Sequence, residues 1–269
     1  MAGDPKILFM GTPEFAVASL DALRTGGFNL AGVVTSPDKP AGRGRKLRIS
    51  AVKDYALRHN LRVLQPEKMK DPEFLGEINT IQPDLIIVVA FRMLPQQVWG
   101  LPSLGTINLH ASLLPQYRGA APINWAIMNG EKETGVTTFF IDKEIDTGKI
   151  ILQRNTPILD DDYAGTLHDR LMRMGADLLI ETIHLVFFGN PPMVSQSVLT
   201  QKAGELKTAP RIYPEDCRIE WDRPVSEVYN HIRGLSPYPT AWTRLFAGGQ
   251  AKVLKVYTAD KTQLRMQPG

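Results

Sequence analysis

Asp84-Leu85-Ile86-Ile87-Val88-Val89-Ala90 is the stretch on which the fold turns, an uninterrupted apolar run rich in β-branched residues. A strand wetted on one face alternates polar with apolar, whereas an unbroken run is covered on both faces, as in the middle of a parallel sheet. Upstream, Lys6-Ile7-Leu8-Phe9-Met10-Gly11 is a second apolar strand ending in Gly, and Glu14 to Leu23 carries Phe15, Leu20 and Leu23 at helical spacing. Leu30-Ala31-Gly32-Val33-Val34-Thr35 repeats the strand signal, and Ala51 to His59 reads as a helix. Strand and helix alternate. The economical architecture is therefore α/β, an open parallel, Rossmann-like sheet with helices on both faces.

The same logic extends downstream. Thr137-Thr138-Phe139-Phe140-Ile141 and Lys149-Ile150-Ile151-Leu152-Gln153 are strands, and about Ala164 to Phe188 is a long helix. Asp160-Asp161-Asp162 before that helix invites a metal reading, but acids there also oppose the helix dipole, and the structural reading is preferred. Gly11-Thr12-Pro13 lacks the full Gly-x-Gly-x-x-Gly spacing. It reads as a turn and helix start with Pro13 in the first helical turn.

Gly189-Asn190-Pro191-Pro192 stops the long helix, and the polar stretch to Lys207 shows little periodicity. The expected organisation is a first domain over 1–189, a linker over 190–207 and a second domain over 208–269. In the last part lie Arg218-Ile219-Glu220-Trp221, a helix-like Val225 to Ile232, and strands Ala241 to Phe246 and Ala251 to Tyr257 joined by a Gly248-Gly249 hairpin turn.

At 269 residues, 43% hydrophobic and 22% charged, the chain reads as soluble and globular. No apolar run approaches the roughly 20 residues of a spanning helix, and the start has no signal-peptide shape, so a cytoplasmic location is expected. Cys217 is the single cysteine, which excludes an intramolecular disulfide; no Cys/His spacing suits zinc, and no metal is expected. The net charge of +3 permits a polyanionic partner without requiring one. Arg43, Arg45, Lys46 and Arg48 cluster within six residues, either as a solvated loop or as a contact for such a partner.

The chemistry centres on Asn108-Leu109-His110 and Asp146-Thr147-Gly148. Strand side chains alternate, so Asn108 and His110 share a face and could converge on one carbonyl oxygen. The amide can donate to a developing oxyanion, the imidazole can polarise it or move a proton, and a carboxylate on the loop at Asp146 can orient the imidazole. Such a set suits direct attack of an amine on an acyl carbon, with no nucleophilic side chain needed. A satisfied structural histidine is the alternative for an isolated Asn-x-His.

These residues, with Ser112-Leu113-Leu114-Pro115-Gln116-Tyr117-Arg118-Gly119-Ala120-Ala121-Pro122-Ile123, Gly11-Thr12-Pro13-Glu14-Phe15-Ala16 and Pro37-Asp38-Lys39-Pro40-Ala41-Gly42-Arg43-Gly44-Arg45-Lys46-Leu47, closely resemble the methionyl-tRNA formyltransferase family over nearly the whole chain. Asn-x-His and Asp-Thr-Gly alone mark the wider group that uses 10-formyltetrahydrofolate. The basic loop narrows the resemblance to the tRNA enzymes.

The resemblance implies transfer of a formyl group from 10-formyltetrahydrofolate to the α-amine of methionyl-initiator tRNA. Asn108 and His110 would stabilise the oxyanion, and Asp146 would hold His110 and favour its charged form. Ser112, Leu113, Leu114 and Pro115 resemble the folate-binding signature, with Ala90, Phe91 and Leu94 on the other side of the pocket. Two family members carry Tyr-Gly or Gly-Phe where this chain has Phe91-Arg92, and Phe91 and Leu94 equally suit a core. Arg43, Arg45 and Lys46 would enter the acceptor stem of initiator tRNA. The second domain would be a small β-barrel of the oligonucleotide-binding kind, incomplete because the chain ends at Gly269, and the protein would be a monomer. Three rivals are a folate enzyme with a small-amine acceptor, a formyl hydrolase, which usually adds a regulatory domain not seen before Lys6, and a non-enzymatic RNA-binding module. The basic loop and the second-domain remnant argue against the first, the regulatory domain not seen against the second, and the intact Asn108, His110 and Asp146 set against the third.

Overall fold

The computed structural model describes residues 4–41, 46–201, 204–247 and 250–262. In chain order the elements are β1 (Ile7–Gly11), α1 (Glu14–Thr25), β2 (Leu30–Val34), β3 (Lys39–Ala41), β4 (Lys46–Arg48), α2 (Ala51–Arg58), β5 (Val63–Leu64), α3 (Pro72–Ile81), β6 (Leu85–Val89), α4 (Gln96–Trp99) and β7 (Thr106–His110). There follow β8 (Arg118–Gly119), α5 (Pro122–Met128), β9 (Glu133–Phe140), β10 (Ile150–Pro157), α6 (Ala164–Phe188), α7 (Gln196–Thr200), β11 (Thr208–Ala209), α8 (Val225–Leu235), β12 (Ala241–Ala247) and β13 (Gln250–Val256). Pro13 caps α1 from just outside the helix rather than lying in its first turn. Ser50 caps α2 by accepting from the Lys53 amide at 3.0 Å.

Seven strands form one sheet in the order β10-β9-β7-β6-β1-β2-β5. The Rossmann-like expectation holds: β1 pairs in parallel with β2 and β6, and β6 with β7, with helices on both sides. All five residues of β6 are buried, as its unbroken apolar run requires. One direction differs from the parallel expectation, because β9 runs antiparallel to β7 in the register Ile107↔Phe140 to His110↔Thr137. Its six consecutive buried residues read like a central parallel strand, since covering both faces erases the alternation that would betray direction.

From β1 the chain steps outward through β2 to β5, then returns to β6 on the other side of β1. The carboxyl ends of β1 and β6 therefore flank the topological switch point, where open α/β sheets bind their ligands.

Two compact units emerge, one built from residues 1–116, 135–155 and 170–206, the other from 117–134, 156–169 and 207–269. The second has its own small core of Cys217, Ile219, Ile232, Leu235 and Ala241. In it Asn124 Nδ2 donates to the Gly234 carbonyl at 2.7 Å and Trp125 Nε1 to that of Pro210 at 2.8 Å, tying α5 to the C-terminal segment. Arg233, almost wholly buried on α8, donates from Nη1 to the carbonyls of Leu159 and Asp162 at 3.0 and 2.9 Å. Strands β12 and β13 pair antiparallel from Ala241↔Val256 to Ala247↔Gln250, in keeping with a small barrel-like domain. The Gly248-Gly249 turn lies outside the described residues.

Candidate active site

Asn108 and His110 stand on β7, flanked by β6 through Val88↔Asn108 and by β9 through Asn108↔Phe139 and His110↔Thr137. Asp146 comes from the loop between β9 and β10, as the sequence suggested. Its Oδ2 lies 3.9 Å from His110 Nδ1, the two side chains being only 8% and 11% exposed for histidine and aspartate. That separation is ion-pair range, beyond hydrogen-bond range. Seclusion from water strengthens any charge interaction between them.

The loop carrying Asp146 is shaped by unusual backbone. Asp146 adopts a left-handed φ of 55°. The left-handed region is disfavoured for a residue with a Cβ, although aspartate enters it more readily than most, and the surroundings hold it there. Two neighbours do so. The Gln196 amide donates from Nε2 to the carbonyls of Asp146 and Gly148, both at 2.9 Å. Gly148 passes so near Phe140 that only a residue without a side chain fits.

Ser112 to Pro115 follow β7 directly, and a network around Thr137 fixes them. Thr137 Oγ1 donates to the Ser112 carbonyl at 2.6 Å and accepts from Leu114 N at 3.2 Å. Gln153 Nε2 donates to Thr137 Oγ1 and to the Leu114 carbonyl, each at 2.9 Å. Ser112 Oγ is engaged with the Gln116 carbonyl at 2.6 Å, and the Leu114–Pro115 peptide is cis. Leu114 is buried against Phe139 and Ile150. In this segment Leu113 alone is left partly exposed.

Ala90 leaves β6 exposed, with a left-handed φ of 47°. Leu94 is buried in the core cluster of Met10, Val34 and Met69, and Phe91 packs partly against it, the core role that the sequence left open. The Arg92 guanidinium donates to the carbonyls of Pro66 and Glu67 and lies over the Phe91 ring, 5.5 Å from the centroid. The segment after β6 is thus tied to the chain after β5. A cavity of about 680 Å³ borders it, lined by Met69, Lys70 and residues 93–97.

Of the basic loop, Arg43 and Arg45 lie outside the described residues, and Lys46 is described as backbone only, at the start of β4. The base of the loop is the β3–β4 hairpin, in which Lys39 pairs with Arg48. Just before it, Asp38 is held by Lys53 at 2.5 Å and Gln65 at 2.8 Å, and these bonds hold its carboxyl below the usual range. Asp162 of the acidic triplet accepts from Leu159 N at 2.7 Å and Thr166 Oγ1 at 3.1 Å, fixing the turn that leads into α6. Among the described residues no group of three or more His, Cys, Asp or Glu could hold a metal, and no helix is long and apolar enough to cross a membrane.

Thr137, Gln153 and Gln196 escaped the sequence reading. Their partners lie far along the chain, and no spacing motif marks them.

An open α/β sheet with Asn108, His110 and Asp146 beside its switch point offers polar groups of the kind that suit acyl transfer. Comparison with known proteins makes this specific. Residues 5–183 match the formyl transferase family model and 211–269 that of the formyl transferase C-terminal domain. The chain belongs to the methionyl-tRNA formyltransferase family. It is 57% identical over 260 residues to the methionyl-tRNA formyltransferase of Parabacteroides distasonis, covering 96% of this chain and 80% of the relative. To that of Bacteroides fragilis it is 55% identical over 259 residues, with 96% and 80% covered. Among solved structures, HypX from Aquifex aeolicus in complex with tetrahydrofolic acid shares the fold, with a TM-score of 0.65 at 19% identity over 93% of this chain and 37% of that one.

Proposed function

We propose that the chain transfers the formyl group of 10-formyltetrahydrofolate to the α-amine of methionyl-initiator tRNA in the cytoplasm, working as a monomer. The observation that carries the catalytic assignment is the secluded His110–Asp146 contact, 3.9 Å long, with Asn108 on the same strand face. In this reading the deprotonated amine attacks the formyl carbon and a C–N bond forms. The carbonyl oxygen gathers negative charge, which the Asn108 amide and the His110 imidazole stabilise while Asp146 orients the ring. Collapse breaks the bond between the formyl carbon and N10 of the folate, and the proton lost by the amine balances the one gained by N10. Ser112, Leu113, Leu114 and Pro115 with Ala90, Phe91 and Leu94 bound the folate subsite. Arg43, Arg45 and Lys46 meet the acceptor stem, where arginine suits phosphate and base-edge contacts.

The test is a formyl-transfer assay with charged initiator and elongator tRNA, using wild type and Arg43→Ala. Charge-assisted contacts are worth roughly 1 to 3 kcal/mol, so the substitution should lower the specificity constant for initiator tRNA about ten- to a hundredfold. Its salt dependence should become shallower while folate affinity stays constant. Equal specificity constants across a salt titration would make the loop a solvated surface and favour a small-amine acceptor.

A further inference from the structure

We infer that Gln196 is a positioning residue for the reaction, holding Asp146 in the one conformation that faces His110. The inference rests on the catalytic reading of Asp146 and His110 given above.

Gln196 is 2% exposed, at the start of α7, in a stretch that reads from sequence as a plain linker. Burying a primary amide is unfavourable unless its polar atoms are satisfied. Here its two N–H bonds straddle Thr147, one on the Asp146 carbonyl and one on the Gly148 carbonyl, both 2.9 Å away. A single planar group thereby sets the separation and direction of the two carbonyls on either side of Thr147. That is the constraint needed to keep Asp146 at φ 55°, where a side chain is disfavoured. Turning that residue back to an ordinary conformation would swing its carboxylate away from His110.

The support for Gln196 does not depend on its side chain. Val194 and Ile150 exchange backbone hydrogen bonds in both directions at 2.9 Å, so the segment stays docked beside β10 when the amide is removed. Docking and aiming are therefore separable functions, the first carried by the backbone of Val194 and the second by the amide of Gln196.

The experiment is a double-mutant cycle on the full chain. Gln196→Met keeps the length and apolar bulk of the side chain without its donors; Gln196→Glu keeps its shape but presents acceptors to the two carbonyls. Each is made alone and in an Asp146→Ala background, and kcat, KM for the folate and melting temperature are measured. Misaiming a catalytic group by about an ångström lowers turnover by as much as about a hundredfold. The expected result is a ten- to hundredfold fall in kcat in the wild-type background, KM within about twofold, and no further fall once Asp146 is gone. Unchanged kcat in both single variants, or the same factor lost in both backgrounds, would reduce Gln196 to a structural residue and overturn the inference. Full turnover in Asp146→Ala alone would overturn the reading of the site itself, and the inference with it.

Discussion

A Cβ placed on Gly148 would lie 1.7 Å from the carbonyl oxygen of Phe140, backbone against backbone, with no flexible side chain to give way. The approach closes the base of the loop that presents Asp146. Gly148→Ala should therefore push the loop off β9, with a loss of stability of about 1–3 kcal/mol, the usual range for overpacking. Turnover should fall by about tenfold or more. Thermal melts with a single-turnover formyl-transfer assay check both, and a variant as stable and active as wild type would show that the loop is softer than its packing implies.

His110→Ala and Asp146→Asn test the chemistry directly. Each should lower kcat by about a hundredfold or more, the scale for losing a positioned acid, base or oxyanion donor, while folate binding measured by calorimetry persists. Near-normal turnover in a folded variant would remove the residue from the reaction.

Thr137→Val deletes a hydroxyl on which two donors and one acceptor converge, leaving Leu114 N, Gln153 Nε2 and the Ser112 carbonyl short of partners. Stranding a buried polar group costs roughly 1–3 kcal/mol. The melting temperature should drop by several degrees and the KM for folate should rise, because residues 112–115 lose their anchor. Thr137→Ser, which keeps the hydroxyl, should recover most of both.

His231 gives the second unit a dependence on pH. Burial is the main influence and pushes its imidazole below the ordinary histidine value of 6.5; the backbone at Cys217 and Arg218 pulls the other way, Arg223 reinforces the depression and Glu220 opposes it. The unfolded chain then takes up the proton first. Stability is at its full value above about pH 6.5 and is lost as pH falls from there through the lower folded value. Melts from about pH 8 to pH 5 should show this decline, and His231→Gln should flatten it. An identical slope in the variant would assign the decline to other groups.

Much of the frame was legible because burial writes itself into the sequence. The β6 run is apolar throughout because both its faces are covered, and α6 keeps a buried stripe from Ala164 to Ile183. Asn108 and His110 could be placed on one face from the two-residue period of a strand alone. The antiparallel course of β9 was not legible, since a strand buried on both faces carries no mark of direction. Nor were Thr137 and Gln196, whose hydrogen bonds to Leu114 and Asp146 span 23 and 50 residues. Threonine in a strand is ordinary, and its hydroxyl becomes informative only when the partner is seen.

The ties between α5 and the C-terminal segment bear on how such chains can be recombined. Asn124 and Trp125 lie well inside the N-terminal half of the sequence, yet their side-chain amide and indole bonds reach Gly234 and Pro210. Exchanging the last sixty or so residues between relatives at the apparent linker would splice the chain cleanly and still break these matched surfaces. A working chimera must inherit 117–134 and 156–169 from the same parent as its tail, so that the grafted module is discontinuous in sequence though whole in space.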